Sequence, residues 1–227
     1  MDLAQHYNNL YHESLQKIKT DHYQVDHLID SLSDNRYGLT LLFRPDEKVK
    51  SAIEGFLDEA KKVEPHQYFY PASDIHVTVM SVISCYEGFD LFKIALKEYI
   101  DIIQECIKGM SRFDIEFRGL TASPSCLIVQ GFPKDDTLNK IRDSLRENFK
   151  NSDLEQSLDK RYTLKTAHAT VLRLRDKLNN KDEFINKIEE YRNRYFGCST
   201  VKSVELVSND WYMRKNRVKE LYSFRLR

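Results

Sequence analysis

Two stretches of nine residues, DIHVTVMSV at 74–82 and TAHATVLRL at 166–174, are near copies of one another. Each sets His-x-Thr-Val in an apolar, β-branched run, the composition of a buried strand. Residues two apart in a strand face the same side. His76 therefore projects with Thr78, and His168 with Thr170. Val77, Val79, Ala169 and Val171 point the other way and can pack under helices. A strand of this kind must be covered on one face and open on the other. Two of them in one chain limit the fold to layered sheets whose open faces can meet.

The flanking segments repeat in the same order. YGLTLLF (37–43) reads as a buried strand. Pro45 suits the first turn of a helix in which Val49, Ile53, Phe56, Leu57 and Ala60 share one face. The loop PHQYFYPAS leads to the first His-x-Thr strand, and a helix over 89–109 closes on Gly109. The second set is strand CLIVQGF (126–132), a helix in DDTLNKIRDSLRENF, a polar loop, the second His-x-Thr strand and a helix near 181–195. Strand 112–122 follows the first set, and strands 201–209 and 220–227 follow the second. Leu3, Tyr7, Leu10, Tyr11, Leu15 and Ile18 predict one more helix over 2–19. The expected fold is α+β, with α/β-like alternation: a duplicated, bilobal arrangement of two antiparallel-rich sheets flanking a central cleft, helices outside. The expected organisation is an N-terminal helical extension, residues 1–35, and one bilobal domain, residues 36–227.

The composition bounds the function classes. A chain of 227 residues with 41% hydrophobic side chains can bury a sizeable core. No apolar run approaches the ~20 residues of a membrane helix, and the N-terminus is polar. A cytoplasmic protein with no membrane partner is expected. Cys85, Cys106, Cys126 and Cys198 are isolated, with no zinc-type spacing, and read as reduced thiols. Zero net charge argues against a non-specific nucleic-acid coat, so no stable DNA binding is expected. Residues 161–227 nevertheless hold 16 basic and 8 acidic residues, a surplus suited to a phosphate-bearing ligand. A monomer is expected.

Two imidazoles sharing a cleft suit acid–base work on a phosphodiester. The ordinary histidine pKa of about 6.5 allows one neutral and one protonated ring near neutral pH. The neutral ring takes a proton from the attacking water or hydroxyl, and the imidazolium gives one to the departing oxygen. The threonine hydroxyls can donate to non-bridging phosphate oxygens. No acidic cluster or further histidine stands beside either motif, so neither a metal nor another cofactor is expected.

One His-x-Thr strand says little, because a lone strand histidine is usually structural. Two copies in equivalent places of a duplicated layout say more. On HVTV, HATVLR, the opening strand 37–43 and the closing VELVSND…YSFRLR, the chain resembles the two-histidine (2H) phosphoesterase superfamily over roughly residues 36–227. That group includes the RNA 2′,3′-cyclic phosphodiesterases, also called 2′-5′ RNA ligases. The resemblance implies a bilobal fold, a nucleotide or RNA-end phosphodiester substrate and a catalytic set of His76, Thr78, His168 and Thr170. Valine follows each threonine where many members have leucine. Arg173 falls where several members carry an arginine, although strict alternation points it away from His168; it reaches a phosphate only if the strand twists or ends there, and the alternative is a salt bridge under a helix. Tyr37, Tyr70 and Trp211 are candidate substrate-binding aromatics near strand ends or loops. The histidines of the extension, His6, His12, His22 and His27, show no partner pattern and are expected at the surface. The alternative reading is a phosphate- or nucleotide-binding module that keeps the cleft without catalysis.

Overall fold

A computed structural model describes residues 2–160 and 163–227. In chain order the elements are α1 (Leu3–Lys19), β1 (Arg36–Phe43), α2 (Glu47–Val63), β2 (Tyr68–Phe69), β3 (Val77–Glu87), α3 (Leu96–Ile107), β4 (Phe113–Ser123), β5 (Cys126–Pro133), α4 (Thr137–Lys150), β6 (Ala169–Arg173), α5 (Lys181–Glu190), β7 (Tyr195–Val201), β8 (Ser203–Asp210) and β9 (Lys219–Arg225). The strands form two sheets, β3-β1-β8-β9 and β2-β6-β5-β4-β7. Every pairing is antiparallel, so the fold is α+β as the alternation of elements implied. No helix among the described residues is long and apolar enough to cross a membrane. All four cysteines are free.

The two lobes are interlocked rather than consecutive. β4 follows the first strand–helix set in sequence, yet it pairs with β5 of the second. β8 follows the second set, yet it pairs with β1 of the first. One hydrophobic core runs through both lobes and includes Leu39, Leu41, Val77 and Val79 from one sheet and Leu127, Val129, Ala169 and Val171 from the other.

Four local expectations change. Helix α2 starts at Glu47 rather than at Pro45, because the Asp46 carboxylate accepts the Val49 N–H at 3.2 Å and caps it there. The helix expected over 89–109 is split. A 3-10 turn at Leu91–Lys93 is capped by Asp90, and Ile94 is extended (φ −95°, ψ 149°), so the helical ladder restarts at Leu96. The helix near 181–195 stops at Glu190, and Tyr195–Val201 instead forms β7 against β4. Aromatic and β-branched residues there accept the vacant sheet edge, which only the assembled sheet supplies. Within the expected loop before the first motif, Tyr68–Phe69 makes a short strand on β6.

A buried guanidinium joins the two motif segments. Arg142, on α4, is 1% exposed. Its Nε donates to the Val79 carbonyl at 2.9 Å, and Nη2 donates to the carbonyls of Thr78 at 3.0 Å and Thr166 at 2.8 Å. One side chain thus satisfies backbone acceptors in β3 and in the segment that delivers His168. Removing it strands buried carbonyls at about 1–3 kcal/mol each. Arg142→Met should lower stability by about 3 kcal/mol, and so the melting temperature by roughly 6–12 °C at this chain length. Calorimetry of the purified variant measures this. A loss within about 2 °C of wild type would mean that the clamp is not structural.

Candidate active site

The two motifs are built alike down to an irregularity. Opposite β1, the register passes from Leu42↔Thr78 to Leu41↔Met80, leaving Val79 as an extra residue. Opposite β5, it passes from Ile128↔Thr170 to Leu127↔Leu172, leaving Val171 extra. The valine after each threonine is therefore a β-bulge. Beyond a bulge the alternation resets. Ser81 comes back to the face of Thr78, and Arg173 comes back to the face of Thr170. This resolves the parity that pointed Arg173 away from His168.

His76, Thr78, His168, Thr170, Arg173, Tyr70 and Trp211 all line one cleft. Tyr37 lies outside it, opposite Asp210 and Tyr86 at the far end of β1. The same cleft is lined by Ser81, Ser84, Ser157, Lys160 and Asn209. Aligning HVTVMS on HATVLR exposes Ser81 as the counterpart of Arg173. Ser157 and Lys160 lie on the polar loop between α4 and β6 and carry no signal in the sequence. Of the N-terminal histidines, His12, His22 and His27 are exposed, whereas His6 is half-buried.

Each histidine is held from behind. The loop into β3 is pinned by Arg44, which donates to the Ser73 carbonyl at 2.8 Å and pairs with Glu205 at 3.3 Å. The Asp74 carboxylate accepts from the Ser73 hydroxyl at 2.7 Å and from the Lys215 N–H at 3.1 Å. The carbonyl of the same Asp74 then meets His76 Nδ1 at 2.7 Å. A carbonyl only accepts, so Nδ1 carries the proton and Nε2 of the neutral ring keeps its lone pair. His168 Nδ1 lies 2.7 Å from Thr166 Oγ1. A hydroxyl donates or accepts, so this contact allows His168 either tautomer.

Burial pulls both rings down to about 4. For His76 the positive charges of Arg44 and Arg173 add to desolvation. For His168 desolvation is joined by Arg142, His76 and His6. Burial also pushes the Tyr70 hydroxyl up to about 12. Its oxygen accepts from Arg173 Nε at 2.9 Å.

A family model described as the AKAP7 2′5′ RNA ligase-like domain matches residues 46–220. The chain belongs to this family. It thereby falls in the 2H phosphoesterase superfamily, and solved structures of that superfamily share its fold. TT0787 of Thermus thermophilus superimposes with a TM-score of 0.60 at 16% identity, over 85% of this chain and 98% of that one. LigT of Escherichia coli, solved with 3′-AMP, gives 0.56 at 12% identity, over 85% and 99%. A conserved protein of unknown function from Agrobacterium tumefaciens gives 0.53 at 16% identity, over 92% and 97%. No curated protein matches the chain in sequence. In this AKAP7-like domain the family match begins at residue 46, leaving α1 and β1 ahead of it.

The depressed histidines make stability depend on pH with a definite sign. The unfolded chain takes up protons near pH 6.5 and the folded rings only near 4, so stability is lost as pH falls through that window. Proton-detected NMR titration should find both rings neutral at about pH 6. A midpoint near the ordinary value of about 6.5 for either ring would contradict the burial of that ring.

Proposed function

We propose that this domain is a metal-independent phosphodiesterase that cleaves a 2′,3′-cyclic phosphate or a 2′-5′ linkage in a nucleotide or at an RNA end. One observation carries the reading. Two histidines, each leading a matching bulged strand and each held through Nδ1, turn into one cleft from different sheets. Binding alone has no use for a matched base and acid.

In hydrolysis, a water oxygen attacks phosphorus and loses its proton to one imidazole. The bond from phosphorus to the ribose oxygen breaks, and that oxygen takes a proton from the other imidazole. The fixed Nδ1–H of His76 leaves Nε2 ready to accept, so His76 is the base and His168 the acid. The hydroxyls of Thr78 and Thr170 donate to the non-bridging oxygens, where charge grows in the transition state. Arg173 contacts the same phosphate, and Trp211 or Tyr70 borders the nucleoside. With a ribose 5′-hydroxyl in place of water, the same steps on a 2′,3′-cyclic phosphate join the two ends through a 2′-5′ linkage and free the 3′-hydroxyl, which is ligation. The LigT complex with 3′-AMP is consistent with a nucleotide in this cleft.

A bound phosphodiester anion favours imidazolium. The kcat optimum should therefore lie above the kcat/KM optimum, which reports the free protein and its depressed histidines. His76→Ala should erase the acidic limb and His168→Ala the alkaline limb of a bell-shaped profile. Each should lower kcat by ~10²–10⁴. Thr78→Val and Thr170→Val should each cost up to about 10²–10³. The test is turnover of 2′,3′-cyclic nucleotides, 2′-5′ dinucleotides and cyclic oligonucleotides, with and without EDTA. Wild-type turnover by both histidine variants would hand the site to the binding-module reading. Activity abolished by EDTA and restored by a divalent ion would overturn the metal-free mechanism.

A further inference from the structure

The chain ahead of residue 46 packs in two places against the strand pair β5-β6, which carries Thr170 and Arg173. Directly paired residues share a sheet face, so Ile128 and Cys126 lie on the side of Thr170 and Arg173. Helix α1 covers that side: Tyr7 packs with Cys126 and Ile128, and Leu3 and Leu10 join them. The segment after α1 then lies along the end of β6. Gln24 N–H donates to the Pro124 carbonyl at 2.7 Å, and Asp26 N–H to the Leu174 carbonyl at 2.8 Å.

Asp26 is anchored independently of Arg173. Its Oδ1 accepts from the Tyr212 hydroxyl at 2.8 Å and from the Leu28 N–H at 3.3 Å. The other oxygen, Oδ2, makes an ion pair with Arg173 Nη1 at 3.5 Å. The side chains of Arg173 and Asp26 are 16% and 15% exposed, so water screens this pair only partly. Arg173 Nε is taken by Tyr70, and the guanidinium carbon sits 5.4 Å from the Tyr212 ring centroid. Among the described residues Nη2 makes no hydrogen bond, and Arg173 lines the cleft with both histidines.

We propose that Asp26 is a positioning residue for Arg173, so that the segment ahead of the family-matched residues supports the site from behind. The role of Arg173 at the phosphate rests on the function proposed above. Arginine loses much rotamer freedom when it is fixed. Here the loss is met on folding, through Asp26, Tyr70 and Tyr212, rather than on binding. A guanidinium held in advance acts chiefly where phosphate charge grows, in the transition state. Asp26 also sets a negative charge against an anion-binding cation, which eases release of a phosphorylated product.

Asp26→Asn keeps the shape and the Tyr212 contact but removes the charge. It should lower kcat about tenfold, while 3′-AMP, as a probe of ground-state binding by calorimetry, binds as tightly as to wild type or more tightly. In an Arg173→Ala background the same substitution should cost kcat nothing further. An equal loss in both backgrounds, or an unchanged kcat in the single variant, overturns the proposal. A ligand-free readout separates it from the proposed function. The Arg173 Nε–H resonance, assigned by its loss in Arg173→Lys, should exchange with water at least about tenfold faster in Asp26→Asn. If no phosphodiester in the panel is turned over, the proposed function fails on its own, and the exchange rate still decides the clamp. An unchanged rate rejects it. Tyr212→Phe, which removes the shorter of the two hydrogen bonds that anchor the carboxylate, should move exchange in the same direction and carries the test if Asp26→Asn does not fold.

Discussion

The Arg142 guanidinium is the hinge pin of this molecule. It donates to carbonyls of β3 and to the carbonyl of Thr166, two residues before His168. Backbone acceptors buried away from water must be satisfied somewhere. Here a single cation satisfies those of both motif segments, so the two histidines cannot drift apart without exposing a buried charge. The same charge helps hold His168 neutral. The structural clamp and the electrostatics of the cleft are thus one interaction.

The second constraint is the bulge. With perfect alternation each motif would offer a histidine and a threonine and then turn its next polar residue to the other face. The extra valine after each threonine resets the phase. The cleft gains Ser81 on one side and Arg173 on the other, a neutral residue facing a cation across a pseudo-symmetric site. The asymmetry continues behind the rings. His76 rests on a carbonyl, which sets its tautomer, and His168 rests on a hydroxyl, which does not. A duplicated scaffold is thereby made unequal behind its two rings.

Much of this is legible in the residues. The paired His-x-Thr-Val strands, their helices and the α+β class follow from periodicity, because half-buried strands and one-sided helices write their faces into the sequence. Tyr70 and Trp211 were legible as cleft aromatics only by type and position. Tyr37, of the same type, lies elsewhere, because its place at the start of β1 sends it toward Tyr86 and Asp210. β7 was hidden, since its pairing depends on an edge of β4 that exists only after the sheet has formed.

The sequence by itself determined the repeated elements, the shared faces of His76 with Thr78 and of His168 with Thr170, and the chemistry those side chains can perform. These are local properties, set by the two-residue period of a strand and by the intrinsic acidity of a ring. The tertiary structure alone decided that β4 and β8 cross to the opposite lobes, that a buried arginine joins the motifs, that both histidines are drawn down to about 4, and that Asp26 reaches Arg173 from the far end of the chain. Desolvation and long-range pairing arise from neighbours brought together by the whole chain, and no window of residues contains them.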